Sequence, residues 1–235
     1  MVIEGIMGKF YTISDWIMKL VLINIIWLLF NLPILYMVVN MLFIKTSTEL
    51  YSLGFSILIM IPIFLFPATT AMYAVIRKWI IASDDSQIFS KYWRYYKENF
   101  IRSLSGGIIL TAIWTAWGMN YKVSAIEIGS LAFYFYVVIT VFLLSITSHF
   151  LSDTVHFELK LFTSLKKALL MSISNAHYTI SLAGASFAII YILYQIHPVL
   201  SFFLAGSIVA FIYFYGYYQI YLKARRIEMK ETTLR

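Results

Sequence analysis

Four histidines, His149, His156, His177 and His197, are the first side chains of this chain whose type and spacing could do chemistry. His149 and His156 stand seven residues apart, on one helix face two turns along, and His177 could approach them from the next apolar run. His197 precedes Pro198 at an outer turn. A transition-metal site would want these imidazoles joined by thiolates or carboxylates. With no cysteine in the chain and no carboxylate arranged around the rings, the four read as interfacial side chains and no metal is assigned. The lack of cysteine also removes disulfides, redox dithiols and thiol nucleophiles. No His-Glu-x-x-His helix, nucleophile elbow, phosphate-binding glycine loop or paired carboxylate is present. The expectation is a non-enzyme that needs no cofactor.

The other polar candidates are amides and hydroxyls set inside apolar runs: Asn24, Asn31 and Asn40, then Thr69 and Thr70, Thr111 and Thr115, Thr147 and Ser148. Such groups commonly bond across helix interfaces. The functional alternative is a polar groove built from Asn24, Asn31, Pro33, Pro67, Thr69 and Thr70, where two bent helices expose carbonyls to a ligand or partner. In "FPATTAMYAVIRKW", Phe66 to Trp79, Pro67 removes a backbone donor, and the neighbouring hydroxyls are expected to satisfy the carbonyls it frees. Aromatic residues gather at outer ends, with Trp114, Trp117 and Tyr121, Tyr134 and Tyr136, and Tyr191 and Tyr194. They form an interfacial belt or, alternatively, a surface on which sugar rings stack.

The elements that must position these residues are apolar helices. Of 235 residues, 61% are hydrophobic and 12% charged, against about one-quarter charged in soluble domains. This is the composition of an integral membrane protein, all-α and polytopic. Six runs are long enough to cross a hydrocarbon core: Leu20 to Ile44, Leu53 to Ile76, Leu104 to Tyr121, Ile128 to Ser148, Tyr178 to Gln195 and Val199 to Tyr221. The first is too long for a signal peptide and is expected to stay in the mature protein. No Asp, Glu, Lys or Arg falls inside these runs except at their edges, which disfavours a proton- or ion-coupled carrier.

Of the 18 Lys and Arg residues, all but Lys45 and Lys122 fall on one side of this arrangement, in the amino-terminal arm, the loops after spans two and four, and the tail from residue 222 to Arg235. That bias predicts a single membrane domain in a plasma membrane with both termini cytoplasmic. The net charge of +7 then reflects topology and anionic lipid, with no nucleic-acid partner required. The two long loops carry amphipathic patterns. After Ser83, Asp84 and Asp85, whose side chains suit a helix cap, the stretch from Ile88 to Arg102 separates Ile88, Phe89, Tyr92, Trp93, Tyr96 and Phe100 from Lys91, Arg94 and Arg102. It is predicted to lie in the headgroup layer. A weaker copy from Phe157 to Ser172 sets Leu159, Phe162, Leu165 and Leu169 apart from Lys160 and Lys167. Letter identity between the two units is too low to require an internal repeat.

"MGKF" (Met7 to Phe10), "DWIMKL" (Asp15 to Leu20), "NIIWLLFNLP" (Asn24 to Pro33), "FPATTAMYAVIRKW" and "FSKYWRYYKENF" (Phe89 to Phe100) occur in an order that resembles the YesL-like family of small bacterial membrane proteins. The resemblance covers the first hundred residues, and the remainder matches mainly in hydropathy. The chain departs from the family in its long segment between Pro33 and Phe66. The resemblance implies no established activity and carries over no site residue. It implies an accessory role in sugar import, because members are commonly encoded beside carbohydrate-uptake transporters.

Two function classes follow. One is a non-enzymatic accessory or assembly subunit of an oligosaccharide ABC importer, with the importer's permease subunits and membrane lipid as partners. The other is a carrier or channel for a neutral solute such as a sugar; a scaffold for lipid or cell envelope is a third, weaker reading. The chain has no nucleotide-binding motif, nor the coupling loop of an importer permease. Arg77, Lys78 and Trp79 at the end of span two, and Lys97, Glu98, Asn99 and Phe100 at the end of the amphipathic helix, are predicted to meet as a partner surface at the cytoplasmic mouth of spans two and three.

Overall fold

Prolines decide the shape of the first half of the molecule in the computed structural model of the protein. The backbone is described for residues 2–82, 84, 86–128 and 130–233, and the side chains for 8, 11–82, 84, 86–121, 133–227 and 229–230. Helix α1 covers Val2–Phe30, and α2, Leu32–Asn40, follows with a 3-10 turn at Met41–Phe43. The first apolar run is therefore two helices and not one span from Leu20 to Ile44. The part long and apolar enough to cross a membrane is Tyr11–Phe30. Pro33 cannot continue the hydrogen-bond ladder, and Asn31 ends α1 by donating its amide to the Trp27 carbonyl at 2.7 Å.

Thr46 caps α3, Ser47–Met60, by accepting from the Glu49 amide, and Glu49 reaches back to accept from the Lys45 amide. This closes the first hairpin, between Pro33 and Phe66. A π-helical turn over Ile61–Leu65 then joins α3 to α4, Phe66–Ala82. Pro67 lacks the donor that would meet the Ile63 carbonyl, and the Phe66 amide bonds five residues back to Ile61. A π-helical turn stands where the bend is predicted, but the hydroxyls do not answer the carbonyl Pro67 frees. Thr69 and Thr70 donate to Leu65 and Phe66, each four residues behind itself. The second run extends from Ser47 to Ala82, wider than Leu53 to Ile76.

Helix α5 covers Ile88–Glu98 and α6 Phe100–Ile128, so the stretch from Ile88 to Arg102 breaks at Asn99 and Arg102 belongs to the spanning helix. Helix α7, Ser130–His156, α8, Leu161–Ser174, α9, Ala176–Ile196, and α10, Pro198–Thr233, complete the chain. Among the described residues every element is helical and six helical runs are long and apolar enough to cross a membrane. The protein is all-α with six candidate spans. Helices α1 and α10 run antiparallel, since Trp16 meets Phe211 while Asn24 meets Phe202 and Ser207. At Gly106 and Gly107 α6 comes so close to α7 and α4 that an added Cβ would strike the rings of Phe150 and Phe66.

Both amphipathic stretches pack part of their surface against the bundle. Helix α5 doubles back along α4, with Tyr92 fully buried and its hydroxyl donating to the Ala68 carbonyl at 2.7 Å. Phe30, at the far end of α1, closes over Tyr92, Trp93 and Tyr96. Much of the aromatic face is thus spent on protein, while Phe89 and Trp93 remain exposed. On α8 the buried stripe is Ser164, Ala168 and Ser172, whose small side chains allow close packing on α7, and Phe162 and Leu169 point outward.

Candidate functional site

Helix α7 continues past Ser148 to His156, and this brings a carboxylate into the fourth candidate span. Asp153 is fully buried between His149 and His156 on the same helix face, four residues after one and three before the other. The reading that no acidic side chain lies within the spans or around the histidines fails at this residue. The span was drawn too short because His149 and Ser152 interrupt the apolar run, while Phe150, Leu151 and Val155 keep it buried.

Every helix around Asp153 contributes a partner. Lys167 of α8 donates to Oδ1 at 2.6 Å, Tyr217 of α10 donates to the same oxygen at 2.9 Å, and Ser164 donates to Oδ2. Arg102 of α6 stands 3.7 Å from Oδ2 and donates at 2.6 Å to the Phe157 carbonyl and at 2.5 Å to Ser164. Lys167 Nζ also lies 3.9 Å from the centre of the Phe157 ring. One carboxylate and two cations thereby tie α6, α7, α8 and α10 together. Three donors and the nearby Arg102 guanidinium engage both oxygens of Asp153. Isolated in hydrocarbon its charge would be very costly, and the lock keeps it satisfied.

The histidines border this lock. The His149 ring is buried 5.9 Å from that of Tyr217, and His156 sits among Phe157, Tyr217, Tyr218 and Tyr221. Among the described residues neither nitrogen of His149 nor Nδ1 of His156 has a hydrogen-bond partner in the protein. His177 lies beside Tyr178, and His197 Nδ1 accepts from the Val199 amide at 3.3 Å, so neither joins the other two.

The predicted polar groove resolves into separate parts. Fully buried Asn24 clips α1 to α10, donating to the Phe202 carbonyl and accepting from the Ser207 amide, both at 3.0 Å. Gly206 makes room for it, since an added Cβ would stand 2.7 Å from Asn24 Oδ1. Thr69 accepts from the Trp27 indole at 3.0 Å. Those two line a groove of about 440 Å³, together with Phe66, Tyr73, Thr147 and Ser148. Asn31, Pro33, Pro67 and Thr70 do not line it; Pro67 and Thr70 are buried in the first turn of α4. Apolar side chains make most of its wall, with hydroxyls set among them.

The predicted partner surface is also divided. Trp79 is buried edge-on against Trp16, and Arg77 lies toward His156. At the other end of α5, Asn99 donates its side-chain amide to the Tyr95 carbonyl and receives the Ser103 amide, which makes it the joint between α5 and α6. Phe100 packs on Tyr96, Lys97 covers Trp93, and Glu98 pairs with Arg94 at 3.6 Å. Among the described residues no hydrogen bond, ion pair or ring contact joins the two clusters. In the loop before α5, Asp84 staples Ser86 and Lys91 instead of capping the helix, and these bonds hold its carboxyl below the ordinary range. Ser83 and Asp85 lie outside the described residues, as do the side chains of Lys9 and Lys122.

Residues 20–121, which build α1 to α6 and one wall of the groove, match the model of a family described as "Protein of unknown function, DUF624". Over 231 residues, 95% of this chain and 90% of the relative, the sequence is 24% identical to the uncharacterized protein YteU of Bacillus subtilis (strain 168). It is 22% identical to the uncharacterized protein YesL of the same organism over 84% of this chain and 82% of the relative. These similarities agree with the resemblance to YesL-like proteins. A shorter match, 34% identical over 28% of this chain and 32% of the relative, is to the uncharacterized protein YesV, also of Bacillus subtilis. No solved structure matches. The match to the DUF624 model ends at residue 121, before the Asp153 lock, whereas the match to YteU covers nearly the whole chain.

Proposed function

We propose that this YesL-like chain is a non-enzymatic accessory or assembly subunit of an oligosaccharide ABC importer in the bacterial plasma membrane, with both termini cytoplasmic. The observation that carries this reading is the closure of Asp153. A coupled carrier needs an intramembrane charge that a substrate or proton can reach, whereas this carboxylate is consumed in joining four helices. The family resemblance supplies the sugar-import context, and the cation bias supports the orientation. The partners are the importer's permease subunits and membrane lipid. The surface left for a permease is smaller than the sequence suggests: Lys97 and Glu98 at the end of α5 and Phe100 at the start of α6, with Lys78. Phe100→Ala and Lys97→Ala are expected to leave insertion intact and reduce permease co-purification and growth on the oligosaccharide. Parent-like behaviour of both variants would remove that surface from the proposal.

The second reading, a carrier for a neutral solute, draws on the groove, whose volume of about 440 Å³ is that of a small-molecule site. Thr69, Tyr73, Thr147 and Ser148 give it hydroxyls that suit a sugar. Uptake of labelled oligosaccharide by liposomes holding only this protein would favour the carrier over the subunit.

A further inference from the structure

The carboxyl-terminal part of α10 carries a pattern that topology alone does not require. Gln219, Lys223, Arg226 and Lys230 follow one another at steps of four, three and four, so they form one stripe along the helix. The stripe faces Tyr178 in the first turn of α9, and together with Leu222 and Ile227 these residues line an open hollow of about 380 Å³. Arg225, one position away, does not line it. Five cations elsewhere pair with carboxylates, Lys19 with Asp15, Lys91 with Asp84, Arg94 with Glu98, and Arg102 and Lys167 with Asp153, while others among the described residues, Arg225 included, do not. Among the described residues Lys223, Arg226 and Lys230 have no such partner. Three like charges around one hollow repel one another unless something negative sits between them.

We propose that this hollow is a binding site for a phosphate group, and specifically for the headgroup phosphate of an anionic phospholipid. A guanidinium presents a planar fork of donors that suits phosphate oxygens, and two ammonium groups supply flexible point charges beside it. The Tyr178 hydroxyl and Gln219 amide add neutral donors. Ile227 gives the hollow an apolar side next to two membrane-spanning helices, which fits a lipid better than a free ion. The inference does not depend on the accessory-subunit reading.

Native mass spectrometry of the full chain in detergent tests it, with short-chain phosphatidylglycerol, short-chain phosphatidylcholine and inorganic phosphate as probes. The parent should retain one phosphatidylglycerol in preference to phosphatidylcholine. Arg226→Gln and Lys223→Gln should each weaken that retention about fivefold, the effect of one headgroup-facing cation. Arg225→Gln removes the same charge from the same turn and should leave retention unchanged, and Arg226→Lys should retain most of it. Failure of inorganic phosphate to displace the lipid assigns the site to a headgroup, and displacement assigns it to free phosphate. Equal losses in Arg225→Gln and Arg226→Gln, or equal retention of the two lipids, would overturn the site and leave only a basic surface.

Discussion

Lys167 of α8 holds Asp153 of α7 at 2.6 Å, and that contact converts a buried charge into a joint between helices. Breaking one side leaves the other uncompensated. Asp153→Asn is expected to destabilise the protein by about 3–5 kcal/mol, and Lys167→Met by a similar amount. The double variant should lose less than the sum of the two, because the Asp153–Lys167 attraction is lost only once and of the charges only Arg102 remains unpaired. Thermal unfolding in detergent measures all three. Additive losses would mean that the pair is not coupled.

Asn24 and Gly206 form a second joint, between α1 and α10. Gly206→Ala forces Asn24 out of its clip and should cost about 1–3 kcal/mol, the penalty for stranding buried backbone groups. In an Asn24→Ala background the same glycine substitution should cost little more, since the clip is already lost. A full additional loss would show that the glycine serves packing alone.

How α5 is used separates protein packing from lipid anchoring. Spin labels at Phe89 and Trp93 should report lipid or water contact, and labels at Tyr92 and Tyr95 should be immobile. Tyr92→Phe deletes the bond to Ala68 and should cost about 1 kcal/mol. Uniform accessibility along the helix would contradict the packed arrangement.

The Asp84 staple gives a pH dependence of known sign. Its folded carboxyl titrates below the ordinary value of 3.8, so the staple is complete above that value and is lost as the pH falls through the lower folded one. A label on Ser86 should gain mobility on acidification below about pH 4, the ordinary aspartate range, and not on raising the pH. In Asp84→Asn the label should already be mobile at neutral pH. An Asp84→Asn label that stays immobile would show that other contacts hold the loop.

The helical character, the number of candidate spans and the likeness to YesL were legible in the sequence, because apolar run length and the order of Asn31, Pro33, Pro67 and Asn99 are local signals. The interior was not. Asp153 looked like a loop residue because polar neighbours ended the apolar run, and only the tertiary partner Lys167, fourteen positions on, explains its burial. On α8 the sequence set an apolar face of Leu159, Phe162, Leu165 and Leu169 apart from the lysines, but the buried stripe of small residues, Ser164, Ala168 and Ser172, has no signal in hydropathy. Asn24 was legible as a polar residue in a span, yet its partners lie some 180 positions away. Asn99 was legible as a family residue, but its place between α5 and α6 assigns it to the backbone joint and not to a partner.

The accessory-subunit proposal stands or falls on association. Affinity purification of the chain, tagged after Arg235 and extracted from native membranes in mild detergent, should bring down the permease subunits of a sugar importer in near-stoichiometric amount, with Phe100→Ala recovering much less. Recovery of the chain free of any permease, from cells in which the importer is expressed, would contradict it.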